Sequence, residues 1–295
     1  MENENLKKGI AFIILSSLGF ALMGMFAHAA GDIPFTQKTL FRNIIAFFLA
    51  LSMLLHSRKT DNDALKIPKG SLKYLILRSA VGSVGIFGNF YALDRLNISD
   101  AAMLNKMSPF FSLLASFIFL SEKPTMTSII SLVTAFTGAL FIIKPSMQFT
   151  QVLPALVGFA GGAGAGFAYA FVRKLHTYKV NGFLIISFFS AFSCILALPF
   201  FIFDYTPMTT RQLTYLLCAG ISAAIGQFGI TNAYFNAPSS KISIYEYSQI
   251  IFSALLGFFM FRQVPDILSL IGYIIITGTA VAVFVYNNKV AKAQH

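Results

Sequence analysis

GIFG at residues 85–88 returns as GQFG at residues 226–229, 141 positions further along the chain. The same offset superposes Gly85, Phe87, Gly88, Ala92, Ser99, Ser112, Phe117 and Pro124 on Gly226, Phe228, Gly229, Ala233, Ser240, Ser253, Phe258 and Pro265. A shift of one residue sets Thr137-Gly138 on Thr277-Gly278, and at an offset of 147 Gly19-Phe20-Ala21 falls on Gly166-Phe167-Ala168. Biased composition scatters matches at random. It does not readily set proline on proline at the same helix junction, flanked by in-register glycines. The pattern predicts one unit written twice, residues 1–148 and 149–295.

The unit is built for a membrane. The 295 residues are 56% hydrophobic and only 11% charged, whereas a soluble domain carries about a quarter charged residues. A spanning helix needs about 20 mostly apolar residues. Such stretches lie near 9–29, 35–56, 73–93, 100–120, 125–143, 152–173, 181–203, 211–234, 241–261 and 266–287. Little chain remains between them, so a soluble catalytic domain is excluded. Five spans per half is an odd number, so the second half enters the membrane from the opposite side. The expected fold is an all-α integral membrane protein of ten transmembrane helices in two inverted five-helix repeats. Many secondary transporters use that arrangement for alternating access, with the binding site at the interface of the halves.

The net charge of +11 reports orientation rather than a nucleic-acid partner. With the N-terminus in the cytoplasm, Lys7, Lys8, Arg58, Lys59, Lys66, Lys69, Lys73, Lys123, Arg173, Lys174, Lys179, Lys241, Lys289 and Lys292 fall inside. Only Lys38, Arg95, Lys144, Arg211 and Arg262 fall outside. That excess obeys the positive-inside rule and predicts a multi-pass cell-membrane protein with both termini cytoplasmic. Cys194 and Cys218 lie in apolar helices, where neither a disulfide nor a metal site follows. His28, His56, His176 and His295 are scattered, so no metal and no cofactor is expected. Ala27-His28-Ala29 has the form of a signal-peptidase site, yet the apolar run before it is too long for a signal peptide and nine spans follow. An uncleaved first helix is expected.

Three segments resemble the drug/metabolite transporter superfamily, in particular its EamA-type ten-helix members. They are FRNIIAFFLAL (41–51), LRSAVGSVGIFGNFYALDRLNISDAAMLNKMSPFFSLLASFIFLSEKP (77–124) and the echo YEYSQIIFSALLGFFMFRQVP (245–265). The resemblance covers nearly the whole chain. It implies a polytopic carrier that moves small organic solutes, among them amino acids and nucleotide derivatives, without ATP hydrolysis. Members often carry a glutamate at the end of the fourth and ninth helices. Glu122 fits the first position, while Arg262-Gln263 stands at the second, so that glutamate is expected to be structural here.

Charges in hydrocarbon are costly and mark functional candidates. Among acidic residues only Glu246 falls within a predicted helix, and among basic ones only Arg42, Arg78 and Lys106. The repeat sets Asn105 opposite Glu246 and Lys106 opposite Tyr247. Straight helices starting near 100 and 241 would separate Lys106 and Glu246 by about 13 Å in depth, at a rise of about 1.5 Å per residue. Long side chains cover much of that gap, which leaves three arrangements open. The two residues pair directly, grip opposite ends of one substrate, or form a salt bridge that only holds the halves together. Glu246 is also the candidate for proton coupling, and one acid with one base hints at a zwitterionic solute. Arg42 and Arg78 either snorkel to headgroups or recognise carboxylate or phosphate through the guanidinium fork. The resemblance includes an arginine near Arg42.

Tyr245, Tyr247 and Gln249 flank Glu246, while Asn89, Tyr91, Gln227 and Asn232 lie on or beside the repeated glycine motifs. Singly each is interhelical glue, and as a cluster they make a polar lining. Tyr169 is a weaker candidate. Gly158, Gly162 and Gly166 share one helix face and suit close packing, a sliding surface or a homodimer contact. The leading reading is a secondary transporter for a small organic metabolite, with proton or exchange-solute coupling and membrane lipids as surroundings. A channel, a lipid flippase, and a scaffold or receptor are the alternatives. An intramembrane enzyme is disfavoured, because no helix holds a His-Asp set, an H-E-x-x-H motif or a convincing Ser dyad.

Overall fold

The computed structural model describes residues 6–59, 61–96, 102, 104–143, 152–262 and 265–293. The boundary expected at 148/149 lies outside them. The described residues form only helices and connections. The helices are α1 (Leu6–Ala29), α2 (Phe35–Ser57), α3 (Leu72–Arg95), α4 (Ser108–Leu120), α5 (Met126–Ile143), α6 (Val152–Thr177), α7 (Gly182–Phe203), α8 (Thr210–Asn236), α9 (Ser248–Phe261) and α10 (Ile267–Ala293). One α-turn (Ser239–Ile242) and a 3-10 segment (Ser243–Tyr247) lead into α9. Nine helical runs, taking Ser239–Phe261 as one, are long and apolar enough to cross a membrane. Helices satisfy their own backbone polar groups, as hydrocarbon demands. Their outer faces carry side chains such as Phe48, Ile118, Ile195, Phe203, Phe259 and Ile274.

Ten predicted spans thus correspond to ten helices, with two differences in continuity. The stretch expected as one helix over 100–120 turns at Lys106-Met107, and α4 proper starts at Ser108. Pro109 explains the break. It has no N–H to return to the Asn105 carbonyl, and its ring crowds that carbonyl. The stretch expected over 241–261 tightens into 3-10 geometry at 243–247. There the Ser243 hydroxyl donates to the Ser239 carbonyl and that of Ser248 to the Tyr245 carbonyl, at 2.6 Å each. Serine bonds of this kind compete with the backbone ladder.

The helices pack as pairs. α1 lies on α8 and α3 on α6, α2 on α7 and α5 on α10; α4 also rests on α6, α9 on α1, α2 on α8 and α3 on α7. Glycine permits the closest of these approaches. A Cβ on Gly19 would lie 2.6 Å from the Gly226 nitrogen, and one on Gly88 would lie 2.8 Å from the Gly161 Cα. Both repeated motifs therefore sit at helix crossings. Gly158, Gly162 and Gly166 face Leu104, Ser108 and Phe111. The stripe thus packs inside the bundle and seats the broken stretch before α4. Both α4 and α9 end in a left-handed residue, Ser121 (φ 58°) and Arg262 (φ 54°).

Candidate functional site

A cavity of about 120 Å³ lies among α1, α2, α3, α6, α7, α8, α9 and the break before α4. Arg42 and Arg78 reach it from α2 and α3, Asn89 from α3, Asn105 from the break, Gln227 from α8 and Gln249 from α9. Phe20, Met23, Ile86, Phe90, Tyr169 and Phe189 supply the apolar and aromatic wall. Seven of the residues that the sequence singles out, counting the weaker candidate Tyr169, therefore meet at one place. Among the described lining residues there is no carboxylate.

The two arginines turn inward instead of snorkelling. Arg78 is 1% exposed and Arg42 8%. The Arg78 guanidinium stacks 3.7 Å from the centre of the Phe189 ring. That of Arg42 stands 6.0 Å from Phe20, and its Nε donates to the Met23 sulfur at 3.1 Å. Nε and Nη1 of Arg78 and Nη1 of Arg42 have no hydrogen-bond partner. Nε2 of Gln227 is likewise unpartnered.

Lys106 and Glu246 do not form an ion pair. The Lys106 ammonium donates to the Gln249 side-chain oxygen at 2.7 Å, and the Tyr247 hydroxyl donates to the Lys106 carbonyl at 3.2 Å. The broken stretches before α4 and α9 therefore touch. Glu246 accepts from the Tyr234 hydroxyl at 2.7 Å. That phenol also bonds Ser112 at 2.9 Å, next to a Ser112–Ser239–Ser116 hydroxyl chain. Tyr234 stacks on Tyr169, ring centres 5.4 Å apart. Glu246 thus lies one aromatic layer behind the cavity wall.

Four other candidates lie away from the cavity. The Asn232 amide donates to the Phe228 carbonyl of its own helix at 2.9 Å. Tyr91 lies under the Arg95 guanidinium at 4.0 Å. Tyr245 is buried with an unpartnered hydroxyl, and Tyr247 is fully buried at the break. Glu122 accepts from Arg173 Nε at 2.9 Å, a partnership suited to the structural role expected of it. Phe189 carries no sequence signal that separates it from the other phenylalanines among 33, and Phe20 is marked only as part of the repeated Gly-Phe-Ala, not as a wall residue. They are found only through the cations they shelve.

Residues 7–144 match the EamA-like transporter family. The chain is 27% identical over 283 residues to the pseudopaline exporter CntI of Pseudomonas aeruginosa, covering 94% of this chain and 96% of that one. It is 25% identical to an uncharacterized transporter of Helicobacter pylori, covering 91% of each chain. It is also 25% identical to the riboflavin transporter of Vibrio cholerae, covering 88% of this chain and 86% of that one. A solved crystal structure superposes with a TM-score of 0.82 at 14% identity, over 94% of this chain and 98% of the other. Sequence, helix order and fold agree: residues 7–144 carry the match to the EamA-like transporter family, and over nearly its whole length the chain is similar to proteins named as transporters, not enzymes.

Proposed function

We propose that the protein is a secondary active transporter that moves a small organic metabolite across the cytoplasmic membrane by alternating access, without ATP hydrolysis. Residues 1–148 and 149–295 act as two inverted five-helix halves rocking about the cavity, with both termini cytoplasmic. One observation carries the reading: the breaks before α4 and α9 meet beside a polar cavity, to which the first break contributes Asn105 and the first turn of α9 contributes Gln249. Discontinuous helices at a repeat interface are the usual substrate platform of such carriers.

The packing supports the inverted halves. Exchanging each helix with the one five places on converts α1–α8 into α6–α3, α2–α8 into α7–α3, and α4–α6 into α9–α1. It leaves α2–α7 and α5–α10 unchanged. The matching left-handed caps at Ser121 and Arg262 are 141 residues apart, the offset of the glycine motifs. Glu246, shielded from the cavity by Tyr169 and Tyr234, is the proton-coupling residue in this reading. Relatives named for pseudopaline and for riboflavin indicate small organic solutes in general. Neither solute is adopted for this chain.

Proteoliposome uptake with purified protein tests the reading. A carrier gives saturable uptake and counterflow, in which unlabelled solute inside accelerates entry of label. Unsaturable flux without counterflow would establish a channel instead.

A further inference from the structure

We infer that the central cavity is an anion site, and that the transported solute carries a carboxylate or phosphate gripped by Arg42 and Arg78. The inference rests on the transporter reading for treating the cavity as a substrate site, and deepens it by naming the chemistry.

The molecule contains its own control. Arg173, at the end of α6, is what a structural arginine looks like in this fold. Its Nε meets Glu122 at 2.9 Å, and its Nη1 reaches the carbonyls of Tyr234 and Phe235 at 3.4 Å. Arg42 and Arg78 are more deeply buried, yet three of their N–H-bearing nitrogens find no acceptor. A buried cation without a partner is among the costliest groups a fold can hold.

The surroundings hold Arg78 in place without neutralising it. Phe189 shelves the guanidinium plane at 3.7 Å, and Gly82, one turn along the same helix face, vacates the space beside it. A Cβ on Gly82 would lie 2.6 Å from Arg78 Nη1. An aromatic shelf, a missing side chain and unpaired buried donors together pre-organise a fork whose geometry matches carboxylate and phosphate. With two arginines and no carboxylate in the described lining, the charged side chains there favour an anionic solute over a cationic one. Glu246 bonds Tyr234 and is not among the cavity-lining residues, and Lys106 adds positive charge nearby while bonded to Gln249.

The test uses the full-length protein in detergent, titrated with mono- and dicarboxylates (acetate, lactate, succinate, malate), phosphate monoesters (glycerol 3-phosphate, ribose 5-phosphate), and matched amides and amines. Thermal shift and calorimetry are the readouts. Saturable stabilisation by members of the carboxylate or the phosphate arm, and not by their amide or amine counterparts, is expected. Binding falls about 10- to 100-fold in Arg78→Gln and in Arg42→Gln, less in the Lys variants. Gly82→Ala weakens binding with both charges retained. Without ligand, Arg78→Met raises the melting temperature, the opposite of what a structural arginine gives.

Response to no anion, equal response to amides or amines, or anion binding indifferent to both arginines overturns the inference. Counterflow separates it from the transport reading. Anions that bind but never exchange sink transport and leave the anion site standing. Exchange of a neutral or cationic solute with the anions inert does the reverse.

Discussion

At the residue scale the most exposed assumption concerns Glu246. It is 8% exposed and its side chain takes a single hydrogen bond, from Tyr234. Glu246→Gln keeps an acceptor for that phenol, so folding and expression are retained. Transport by the variant is expected to lose its pH dependence while substrate binding at the arginines persists. A pH profile like that of the unmodified protein would remove Glu246 from coupling. Tyr234→Phe leaves the buried carboxylate without its donor and should cost about 1–3 kcal/mol of stability, read as a lower melting temperature in detergent. Sequence alone picks out Glu246, because one acid in an apolar stretch is conspicuous. It cannot pick out Tyr234, which is one tyrosine among 11 until α8 brings its hydroxyl to the break.

At the scale of elements, glycine crossings and the Arg173–Glu122 ion pair fasten helices together among the described residues. Gly19→Ala would drive a methyl group to 2.6 Å from the Gly226 backbone and force α1 from α8, at about 1–3 kcal/mol. Gly24→Ala in the same helix has nothing within 4 Å of the new carbon and should stabilise by about 0.5–1 kcal/mol. Melting temperatures of the two variants should move in opposite directions. Arg173→Met removes the strap that joins the α4–α5 junction to α6 and the end of α8. It leaves Glu122 without its cation, at about 1–3 kcal/mol, again visible in the melt. Close packing was legible at Gly158, Gly162 and Gly166, because small residues recurring on one helix face let backbones approach. The breaks were not. Pro109 is written in the chain, but a proline near an expected helix end is ambiguous, and the serines before α9 take their carbonyls only in the folded backbone.

For the whole molecule, alternating access makes a prediction that a static pore does not share. Ile86 lines the cavity beside Asn89. In a background with Cys194 and Cys218 replaced by serine, Ile86→Cys should react with a membrane-impermeant thiol reagent from one side at a time. Imposing substrate on the opposite side should reverse the accessible side. Simultaneous labelling from both sides would indicate a continuous pore.

Composition, span length and the returning glycine motif determine the membrane class, the ten helices and the expected division of the chain. These follow from local facts, since ten stretches of about 20 mostly apolar residues, with few charges to cover them, suit lipid rather than water. The candidate charges are determined the same way, by being few. Which of them share a cavity was decided only by the tertiary structure. Arg42 and Arg78 belong to different helices, and whether each snorkels outward or turns inward depends on what Phe20, Phe189 and Gly82 leave open. Lys106 and Glu246, the obvious opposite charges, are separated by better partners in Gln249 and Tyr234. A sequence lists charges one at a time, whereas their partners are chosen by helices that meet only after folding.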